Sequence, residues 1–482
     1  MSGQISFERL SDSKRPLHIH TGPLLKSHLA TAANSADEYI RLGGYQLARR
    51  VVSEMTPDDV ITEIDQAGLR GRAGGGFPAG QKWWLVSQAE AEEKYFICNA
   101  NAVQAGGFKE RFLLTTNPHR VIESVIIGAF AVNAKTAFIF LPRHFDREAR
   151  ILEQAVREAR AHGFVGRQIF GSEKSLDIIV YRSLGGYVTG EETALMEMIE
   201  GKIGQPRGKP PLPTARGLFG APTAVSNLET VLNASYILES GSARYQESGT
   251  SIAPGTLIFS LSGHVARPGL YELPLGASLR ELIFDHGHGV EGGAGVKAVF
   301  PGGISSPALP SSSLDVALDF DSIRDEGSWL GSGTVIVVAE GTCMVDLTTR
   351  LAEFFHQSSC GKCQPCFDGT RRTLAMITRL DRIDEKSIDR VDSPLPPSLR
   401  KNRTLNVITM PAGVSYTDNA KGLDKIRHLA EFYKYRGDCH HSTEAASVIQ
   451  SLLRLFTDEF EHHRLTPQCE LGERTAYESI GA

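Results

Sequence analysis

The chain has 482 residues, more than a single hydrophobic core usually serves, so two to four domains are expected. Its composition is that of an ordinary globular protein, and the net charge of −5 gives no reason to expect nucleic acid as a ligand. The 48 glycines indicate many tight turns and places where the backbone can come close to a ligand.

The first 40 residues are polar and show no clear hydrophobic period. Residues 1–40 are therefore interpreted as an N-terminal extension that orders only against a partner. The first 30 residues contain no continuous apolar stretch, so no secretory signal is expected there.

Residues 41–250 alternate apolar, strand-like runs with helical patterns, which predicts an α/β layer domain. Strands are predicted over residues 94–98, 137–141 and 176–180. The most apolar stretch, 121–141, is interrupted by acidic, amide and basic side chains, so a bilayer span is not expected. It predicts instead a buried helix over 121–132 followed by a buried strand over 136–141.

Residues 251–340 show short alternating strands between Pro/Gly turns, with one helical piece around 278–284, which predicts a small β-rich domain. Residues 341–482 have a helical pattern. Helices are predicted there over residues 346–355, 369–380, 422–435 and 442–462. Residues 381–420 are irregular and contain several prolines, so they are interpreted as a surface insertion in this helical domain.

The seven cysteines stand at positions 98, 343, 360, 363, 366, 439 and 469. So few cysteines in so long a chain are not a secreted disulfide framework. Cys360, Cys363 and Cys366 form a Cx2Cx2C motif that places three thiolates on one tight loop, whereas a [4Fe–4S] cluster takes four. Cys439 is the best candidate for the fourth ligand because it lies downstream in the helical region. Zinc bound by four sulfurs is the alternative at this point.

A glycine-rich loop spans residues 68–82, with the sequence GLRGRAGGGFPAGQK. Its glycines let backbone N–H groups approach a phosphate, and Lys82 adds a positive charge. The loop matches neither a Walker motif nor the ordinary dinucleotide fingerprint, so a plain glycine-rich loop is the alternative. A second glycine turn, 185–190, precedes Glu191 and Glu192 at a predicted helix start, where acidic residues commonly complement the helix dipole.

Taken in this order, the motifs resemble the flavin-binding subunit of respiratory complex I and its relatives in NAD-linked hydrogenases and formate dehydrogenases. The matching segments are residues 68–83, 108–112, 185–213, 217–231, 263–269, 327–333 and 359–366. The resemblance implies a Rossmann-like FMN domain, a β-grasp (ubiquitin-like) domain and a C-terminal helical bundle with a [4Fe–4S] cluster.

The resemblance also implies which residues hold the cofactors. The flavin and nicotinamide site is expected to be lined by Gly71, Arg72, Gly74, Gly75, Gly76, Phe77, Lys82, Asn99, Asn101, Gly190, Glu191, Asn227 and Thr230. Glu191 and Glu192 are the candidate catalytic residues. The expected cluster ligands are Cys360, Cys363, Cys366 and Cys439.

The nucleotide pocket departs from this family at four positions. Where the family has three acids, this chain has Asn101, Ala102 and Gln104. Acids in dinucleotide sites accept from ribose hydroxyls and repel a 2′-phosphate, so weak discrimination between NADH and NADPH is expected. Leu212 stands where the family usually has a phenylalanine that stacks on the adenine.

The sequence therefore predicts an NADH dehydrogenase-type flavoprotein subunit that passes electrons between NAD(P)H, FMN and a [4Fe–4S] cluster. A homologue that keeps both cofactors but exchanges electrons only with protein partners is the alternative. The expected partners are a thioredoxin-like [2Fe–2S] subunit and additional components of an oxidoreductase complex, with no nucleic acid and no direct membrane insertion. The expected location is the cytoplasm.

Overall fold

A computed structural model of the protein describes residues 17–101, 103–380 and 421–466. Within these ranges the chain divides into two compact units. The first unit comprises residues 17–303 and 309–339, and the second comprises 304–308 together with the described residues from 340 onward.

The first unit begins with an α/β region in which helices alternate with strands. Its elements are β1 (His18–His20), α1 (Pro23–Ala30), α2 (Ala36–Arg41), α3 (Gln46–Glu54), α4 (Pro57–Gln66), α5 (Ala79–Ser87), β2 (Tyr95–Asn99), α6 (Lys109–Thr116), α7 (Pro118–Ala131), β3 (Thr136–Leu141), α8 (Asp146–Ala161), β4 (Asp177–Arg182), α9 (Glu192–Ile199), α10 (Pro213–Arg216), β5 (Thr223–Asn227), α11 (Leu228–Ser240) and α12 (Ser242–Gln246).

Four of these strands form a parallel sheet in the order β4-β3-β2-β5. All fourteen residues of α7 are buried, and its two charged residues, Arg120 and Glu123, lie 3.7 Å apart as an ion pair. The strand predicted over 136–141 is β3, and the buried helix predicted before it is α7, which begins three residues earlier than expected at Pro118. The chain therefore forms the predicted α/β layer.

The order of this sheet determines where a ligand can bind. From β2 the chain moves to β3 and β4 on one side, then returns to place β5 on the other side of β2. The crevice at the carboxyl ends of β2 and β5 is therefore a topological switch point, the usual ligand site of open α/β sheets. Asn99 and Asn227, the last residues of these two strands, are aligned neighbours there.

The N-terminal segment differs from the prediction. Strand β1 pairs in parallel with β7 (Gly269–Pro274), and the carboxylate of Glu272 accepts hydrogen bonds from the N–H groups of Leu24 (2.8 Å) and Leu25 (2.7 Å). The expectation that residues 1–40 order only against a partner is therefore wrong for residues 17–40. A three-residue strand and short helices leave too little periodicity for the sequence to reveal them.

The rest of the first unit is a mixed sheet, as the β-rich pattern predicted. Its elements are β6 (Thr256–Gly263), β7, β8 (Val296–Phe300), β9 (Leu309–Pro310), α13 (Phe320–Asp325) and β10 (Thr334–Ala339), in the sheet order β1-β7-β6-β10-β8-β9. The helical piece expected around 278–284 is a short π-helical turn over Glu281–His286. A buried ion pair between Lys109 and Glu229 (2.6 Å) supports this sheet, since Glu229 also accepts from the N–H of Ile258 (2.9 Å).

The second unit is helical. It contains α14 (Met344–Ser358), α15 (Gln364–Thr378), α16 (Leu423–Tyr433), α17 (His441–Leu455) and α18 (Thr457–Leu465). Helix α15 begins five residues before the prediction, inside the cysteine motif, because Pro365 suits a first helical turn. The single helix predicted over 442–462 is two helices that break at Phe456. The predicted insertion at 381–420 lies outside the described residues.

Helix packing in the second unit is close. A β-carbon added to Gly369 of α15 would lie 2.3 Å from the buried ring of Tyr433 on α16, so this position requires glycine. Across the described ranges, none of the helices combines the length and the apolar character that crossing a bilayer demands.

Candidate functional sites

The glycine-rich loop lies between α4 and α5 at the carboxyl edge of the parallel sheet. Backbone hydrogen bonds from Gly71 to Phe77 (2.9 Å) and from Ala79 to Leu69 (2.8 Å) hold its two ends together. Gly74 (φ +118°) and Gly76 (φ +58°) have left-handed backbone that other residues rarely adopt.

The side of the loop at Gly75 is open. A β-carbon added at Gly75 would meet no protein atom within 4 Å, although the residue lies in the middle of the loop. Phe77, just after it, is about half exposed, with its ring 5.9 Å from the ammonium of Lys82. The loop therefore presents bare backbone and an accessible ring beside a positive charge.

Arg72 does not contribute its side chain to this open face. It is fully buried, and its guanidinium donates to the carbonyls of Arg70, Pro254 and Thr256 and to the hydroxyl of Tyr245 at 2.8–3.2 Å. Its N–H donates to the Oγ1 of Thr230 (2.8 Å). Four of its side-chain donors thus already hold the loop in place, and the prediction that Arg72 binds the cofactor stays a prediction.

Lys82 and the Glu191–Glu192 pair meet at this edge. The Lys82 ammonium lies 3.3 Å from the carbonyl of Val225 in β5 and 3.5 Å from a carboxylate oxygen of Glu192. Glu191 caps α9 by accepting from the N–H groups of Thr193 and Ala194, which is the helix-terminus role that acidic residues commonly take.

Lys209 is a site residue that sequence reasoning missed. Its ammonium lies 2.9 Å from Glu191 and 2.7 Å from Glu192, so it joins both carboxylates. Burial opposes ionisation of Glu192, but the charges of Lys82 and Lys209 outweigh it, and the pKa of Glu192 is lowered. The available signal was a basic residue in the 206–213 loop, which nothing in the local sequence links to α9.

The asparagines at the strand ends complete the arrangement. The side-chain amide of Asn99 donates to the carbonyl of Gly190 (2.9 Å) and its oxygen accepts from the N–H of Asn101 (3.0 Å). Asn227 caps α11 by accepting from the N–H of Glu229 (2.9 Å). These bonds hold the 185–192 turn against the end of β2.

Asn101 has a different environment from its neighbours. Both polar atoms of its side chain are buried and have no hydrogen-bond partner within the described chain. A buried amide without partners is unfavourable by about 1–3 kcal/mol, so such groups usually have an unseen ligand or water. Asn101 lies beside Gly190, where an added β-carbon would come within 3.0 Å of its amide nitrogen.

Gln104 has a structural role instead. Its side-chain nitrogen donates to the carbonyl of Gly302 (2.8 Å) and lies where a β-carbon on Gly303 would be. Leu212 is 53% exposed, and Ala102 lies outside the described residues. Of the positions that depart from the family pattern, Asn101 is therefore the one whose side chain has unused hydrogen-bonding capacity.

These features fit a phosphate-bearing planar cofactor. Bare backbone around Gly75 and the charge of Lys82 suit a phosphate, and the unpartnered amide of Asn101 suits a polar ring edge or a ribose. Lys82 and Asn101 lie at the switch point between β2 and β5, where open α/β sheets bind nucleotides, and the N–H of Arg72 ties the loop to Thr230 just after β5.

The second site is the cysteine loop that joins α14 and α15. Cys363 caps α15, Cys366 lies in its first turn, and the charges of Cys360, Cys363 and Cys366 would act on one another. Burial, together with the other two thiols, raises the pKa of Cys366 to about 12. A metal that binds here must therefore displace protons from the thiols.

The segment that carries Cys439 adjoins this loop. The N–H of Asp438 donates to the Sγ of Cys363 (3.2 Å), and the carboxylate of Asp438 pairs with Lys362 (2.8 Å). Two separate contacts thus hold the residue before Cys439 against the Cx2Cx2C loop. Backbone N–H donation to sulfur and a nearby cation both suit a thiolate-bound cluster.

Comparison with known protein families matches three segments of the chain. The Nuo51 FMN-binding domain matches residues 64–235, the SLBB domain matches 258–337, and the NADH-ubiquinone oxidoreductase-F iron-sulfur binding region matches 346–393. The parallel sheet with its glycine-rich loop and the helical unit with its cysteines thus define an FMN- and iron–sulfur-binding flavoprotein subunit.

Individual relatives support the same assignment. The NADH-quinone oxidoreductase F 2 subunit of Rhizobium meliloti is 43% identical over 70% of this chain and 80% of its own. The NADH-quinone oxidoreductase F subunit of Streptomyces coelicolor is 37% identical over 89% of this chain and 87% of its own, and the NADP-reducing hydrogenase subunit HndC of Solidesulfovibrio fructosivorans is 35% identical over 90% and 82%. The chain belongs to the family of NADH-quinone oxidoreductase F subunits.

A solved structure shares the fold. The NAD⁺-reducing [NiFe]-hydrogenase in its H₂-reduced state superposes with a TM-score of 0.74 at 28% identity, covering 93% of this chain and 67% of the hydrogenase chain. The predicted family, fold class and cofactors, FMN and a [4Fe–4S] cluster, are confirmed, as is an electron-input role in a family of multi-subunit oxidoreductases.

Proposed function

We propose that this chain oxidises a nicotinamide nucleotide, either NADH or NADPH, at the carboxyl edge of the β4-β3-β2-β5 sheet. Cys360, Cys363, Cys366 and Cys439 would hold the [4Fe–4S] cluster, which would supply a one-electron acceptor on the way to partner subunits. FMN, when bound, supplies the conversion from a two-electron donor to one-electron acceptors. The observation that carries this proposal is the buried, unpartnered side chain of Asn101 at the switch point.

Each residue of the site has a distinct part in binding. Backbone around Gly74, Gly75 and Gly76 would hold the flavin phosphate, and Lys82 would balance its charge. Asn99 and Asn227 fix the ends of β2 and β5, so that the pocket keeps its shape. Thr230 positions the loop through the N–H of Arg72.

Glu191 and Glu192 act through charge. Both carboxylates form ion pairs with Lys209, and Glu192 also pairs with Lys82. These pairs keep two ammonium groups beside the site. A low pKa keeps Glu192 ionised near neutral pH. Together these residues keep the local charge fixed when an anionic nucleotide enters.

The cluster ligands in this proposal are Cys360, Cys363, Cys366 and Cys439. The contacts of Asp438 with Cys363 and Lys362 support Cys439 as the fourth ligand, because they hold the adjacent residue at the loop. A thioredoxin-like [2Fe–2S] subunit is the proposed next acceptor. The cytoplasm is the proposed location, since closely spaced thiols that are not in disulfides last in a reducing compartment.

The pocket is proposed to discriminate weakly against NADPH. The family's three acids are replaced, and no charge at Asn101 or Gln104 repels a 2′-phosphate. One such repulsion at about 5 Å is worth roughly 3 kcal/mol at an effective dielectric near 20. Its loss removes about a hundredfold preference for NADH.

The test is anaerobic mixing of the FMN-loaded protein with NADH and with NADPH, followed by flavin absorbance. Wild type should be reduced by both nucleotides at rates within about tenfold of each other, and Asn101→Asp should shift the ratio toward NADH by up to about a hundredfold. Asn133→Asp is the matched control, because Asn133 lies in an exposed turn after α7 and its change should leave the ratio unaltered.

Two results would overturn parts of this proposal. Strong rejection of NADPH by the wild type would show that other residues supply the selectivity. Reduction by neither nucleotide, with FMN bound and the cluster intact, would instead favour a relay that exchanges electrons only with protein partners. One observation favours such a relay: Leu212 is exposed and offers no aromatic ring to stack on a nucleotide.

A further inference from the structure

A third cluster of ligand-type side chains lies in the second unit, outside the Cx2Cx2C motif. The sulfur of Cys343, a carboxylate oxygen of Glu459 and a ring nitrogen of His463 all lie within 4.8 Å of one another. We propose that these three side chains bind a zinc ion, separate from the iron–sulfur cluster.

The local sequence explains how these side chains come together. Glu459 and His463 are four residues apart on α18, so they share one face of that helix. Cys343 directly precedes α14 and is buried, with 5% of its surface exposed. The start of α14 thus meets one face of α18, with a soft thiolate, an imidazole and a carboxylate turned toward a common point.

The spacing suits a single metal. Zinc binds sulfur at about 2.3 Å and imidazole nitrogen at about 2.0 Å, so a tetrahedral angle places these two atoms about 3.5 Å apart. The Cys343 Sγ and the His463 Nε2 are 3.6 Å apart. Zinc accepts cysteine sulfur, histidine nitrogen and carboxylate oxygen as ligands, and three protein ligands leave the fourth position for water.

Neighbouring backbone groups fix two of these ligands. The N–H of Met344 donates to one carboxylate oxygen of Glu459 (2.7 Å), and the N–H of Asp346 donates to the Cys343 sulfur (3.4 Å). Both N–H groups belong to the first turn of α14, which favours negative charge. The helix end therefore stabilises the thiolate and the carboxylate in the charged forms that a metal needs.

The competing explanation is a metal-free network. In that case the Cys343 thiol donates to His463, and Cys343 and Glu459 serve only to cap α14. This explanation accounts for each contact singly but predicts no zinc. The two explanations differ in metal content and in what a metal probe reports.

The experiment uses the full chain with its FMN and cluster in place. Zinc and iron are measured per flavin by mass spectrometry after chelator washing, with about one zinc expected beside the cluster iron. X-ray absorption at the zinc edge should give one sulfur at about 2.3 Å and otherwise nitrogen or oxygen neighbours. Four sulfur neighbours would overturn the proposal, because zinc would then occupy the cluster cysteines.

Matched variants assign the ligands. Cys343→Ala and His463→Gln should lose the zinc while iron and FMN stay at wild-type levels, whereas His462→Gln should keep all three. Where a variant fails to fold, Co²⁺ exchanged into the wild-type chain supplies a second measurement, through its thiolate charge-transfer absorption. Absence of zinc from the wild type, or zinc retained in the Cys343→Ala/His463→Gln double variant, would overturn the site. Neither result depends on nucleotide oxidation, so the proposed function and this site fail independently.

Discussion

The glycine-rich loop of the first unit and the cysteine loop of the second are both short connections, but they are built in different ways. The cysteine loop holds three of the proposed ligands within seven consecutive residues, 360–366, and the fourth proposed ligand, Cys439, comes from downstream. The site at the glycine-rich loop gathers Lys82, Asn101, Glu192 and Lys209 from four separate segments at a sheet edge. A soft metal site can therefore be concentrated in one motif, whereas a nucleotide site depends on the fold to assemble it.

The largest expected effect is the loss of the cluster at the cysteine loop. Cys363→Ala should remove the cluster, because a [4Fe–4S] cluster that loses one of its thiolates is no longer held. Iron should fall from about four per chain toward zero, and the EPR signal of the reduced protein should vanish. FMN should remain bound.

The control for that change is Cys98→Ala. Cys98 is fully buried in the core of the first unit, so this variant should keep its iron. Retention of a normal cluster signal in Cys363→Ala would remove Cys363 from the ligand set.

At the glycine-rich loop, FMN affinity should fall stepwise as larger side chains are added at the open backbone. An added side chain at Gly75 meets no protein atom, so the fold should tolerate it, but it would occupy space proposed for FMN. Gly75→Val should weaken FMN binding by about 1–3 kcal/mol, or roughly fivefold to 150-fold, with Gly75→Ala between it and the wild type. Titration of the apoprotein with FMN, followed by flavin fluorescence, measures this.

Thermal unfolding of the apoprotein is the check on that series. Equal melting temperatures for the wild type and both variants would show that only ligand binding is affected. Unchanged FMN affinity across the series would place the cofactor away from Gly75.

Smaller effects are expected at Asn101, where one substitution should raise the stability of the apoprotein and lower the affinity for the ligand. Asn101→Leu removes a buried amide that has no protein partner within the described chain, so the apoprotein should become more stable by about 1 kcal/mol. The same change removes a hydrogen bond to the bound ligand, so affinity should fall by about fivefold. Chemical denaturation without ligand and ligand titration measure the two signs separately.

A loss of apoprotein stability in Asn101→Leu would mean that the amide already has a partner, such as a bound water. A gain in stability with no change in affinity would mean that the ligand does not use it.

The smallest expected effect is electrostatic. The pKa of Glu192 is lowered in the folded protein, so its contribution to stability is present above about pH 4.3 and is lost as the pH falls through the folded pKa. Glu192→Gln should therefore be less stable than wild type at neutral pH, by about 0.2–1 kcal/mol, because its partners Lys82 and Lys209 are partly exposed. The difference should shrink in acid.

Urea unfolding across an acidic to neutral pH series measures this dependence. Glu173→Gln, at an exposed position, is the control and should show no such pH dependence. A difference that grows in acid would contradict the assigned direction of the pKa shift.

Local patterns in the chain were enough to reveal its chemistry. Thiolate spacing at 360–366 placed three metal ligands on one loop but left zinc as an alternative to an iron–sulfur cluster. Strand–helix alternation predicted the α/β layer because periodicity is local. The buried strand at 136–141 was placed correctly for the same reason. The glycines of the 68–82 loop and the charge of Lys82 indicated a phosphate site, and a plain glycine-rich loop was the alternative that the residues alone left open.

The roles of the individual polar side chains, by contrast, became visible only in the folded chain. Arg72 and Gln104 turn inward to hold backbone, Lys209 joins two carboxylates, and the side chain of Asn101 keeps unused hydrogen-bonding capacity. The N-terminal strand His18–His20 likewise exists because β7 offers it an edge. The orientation and the hydrogen-bond partners of these side chains depend on residues that are far away in the sequence. The residues next to them in the sequence therefore do not reveal these partners.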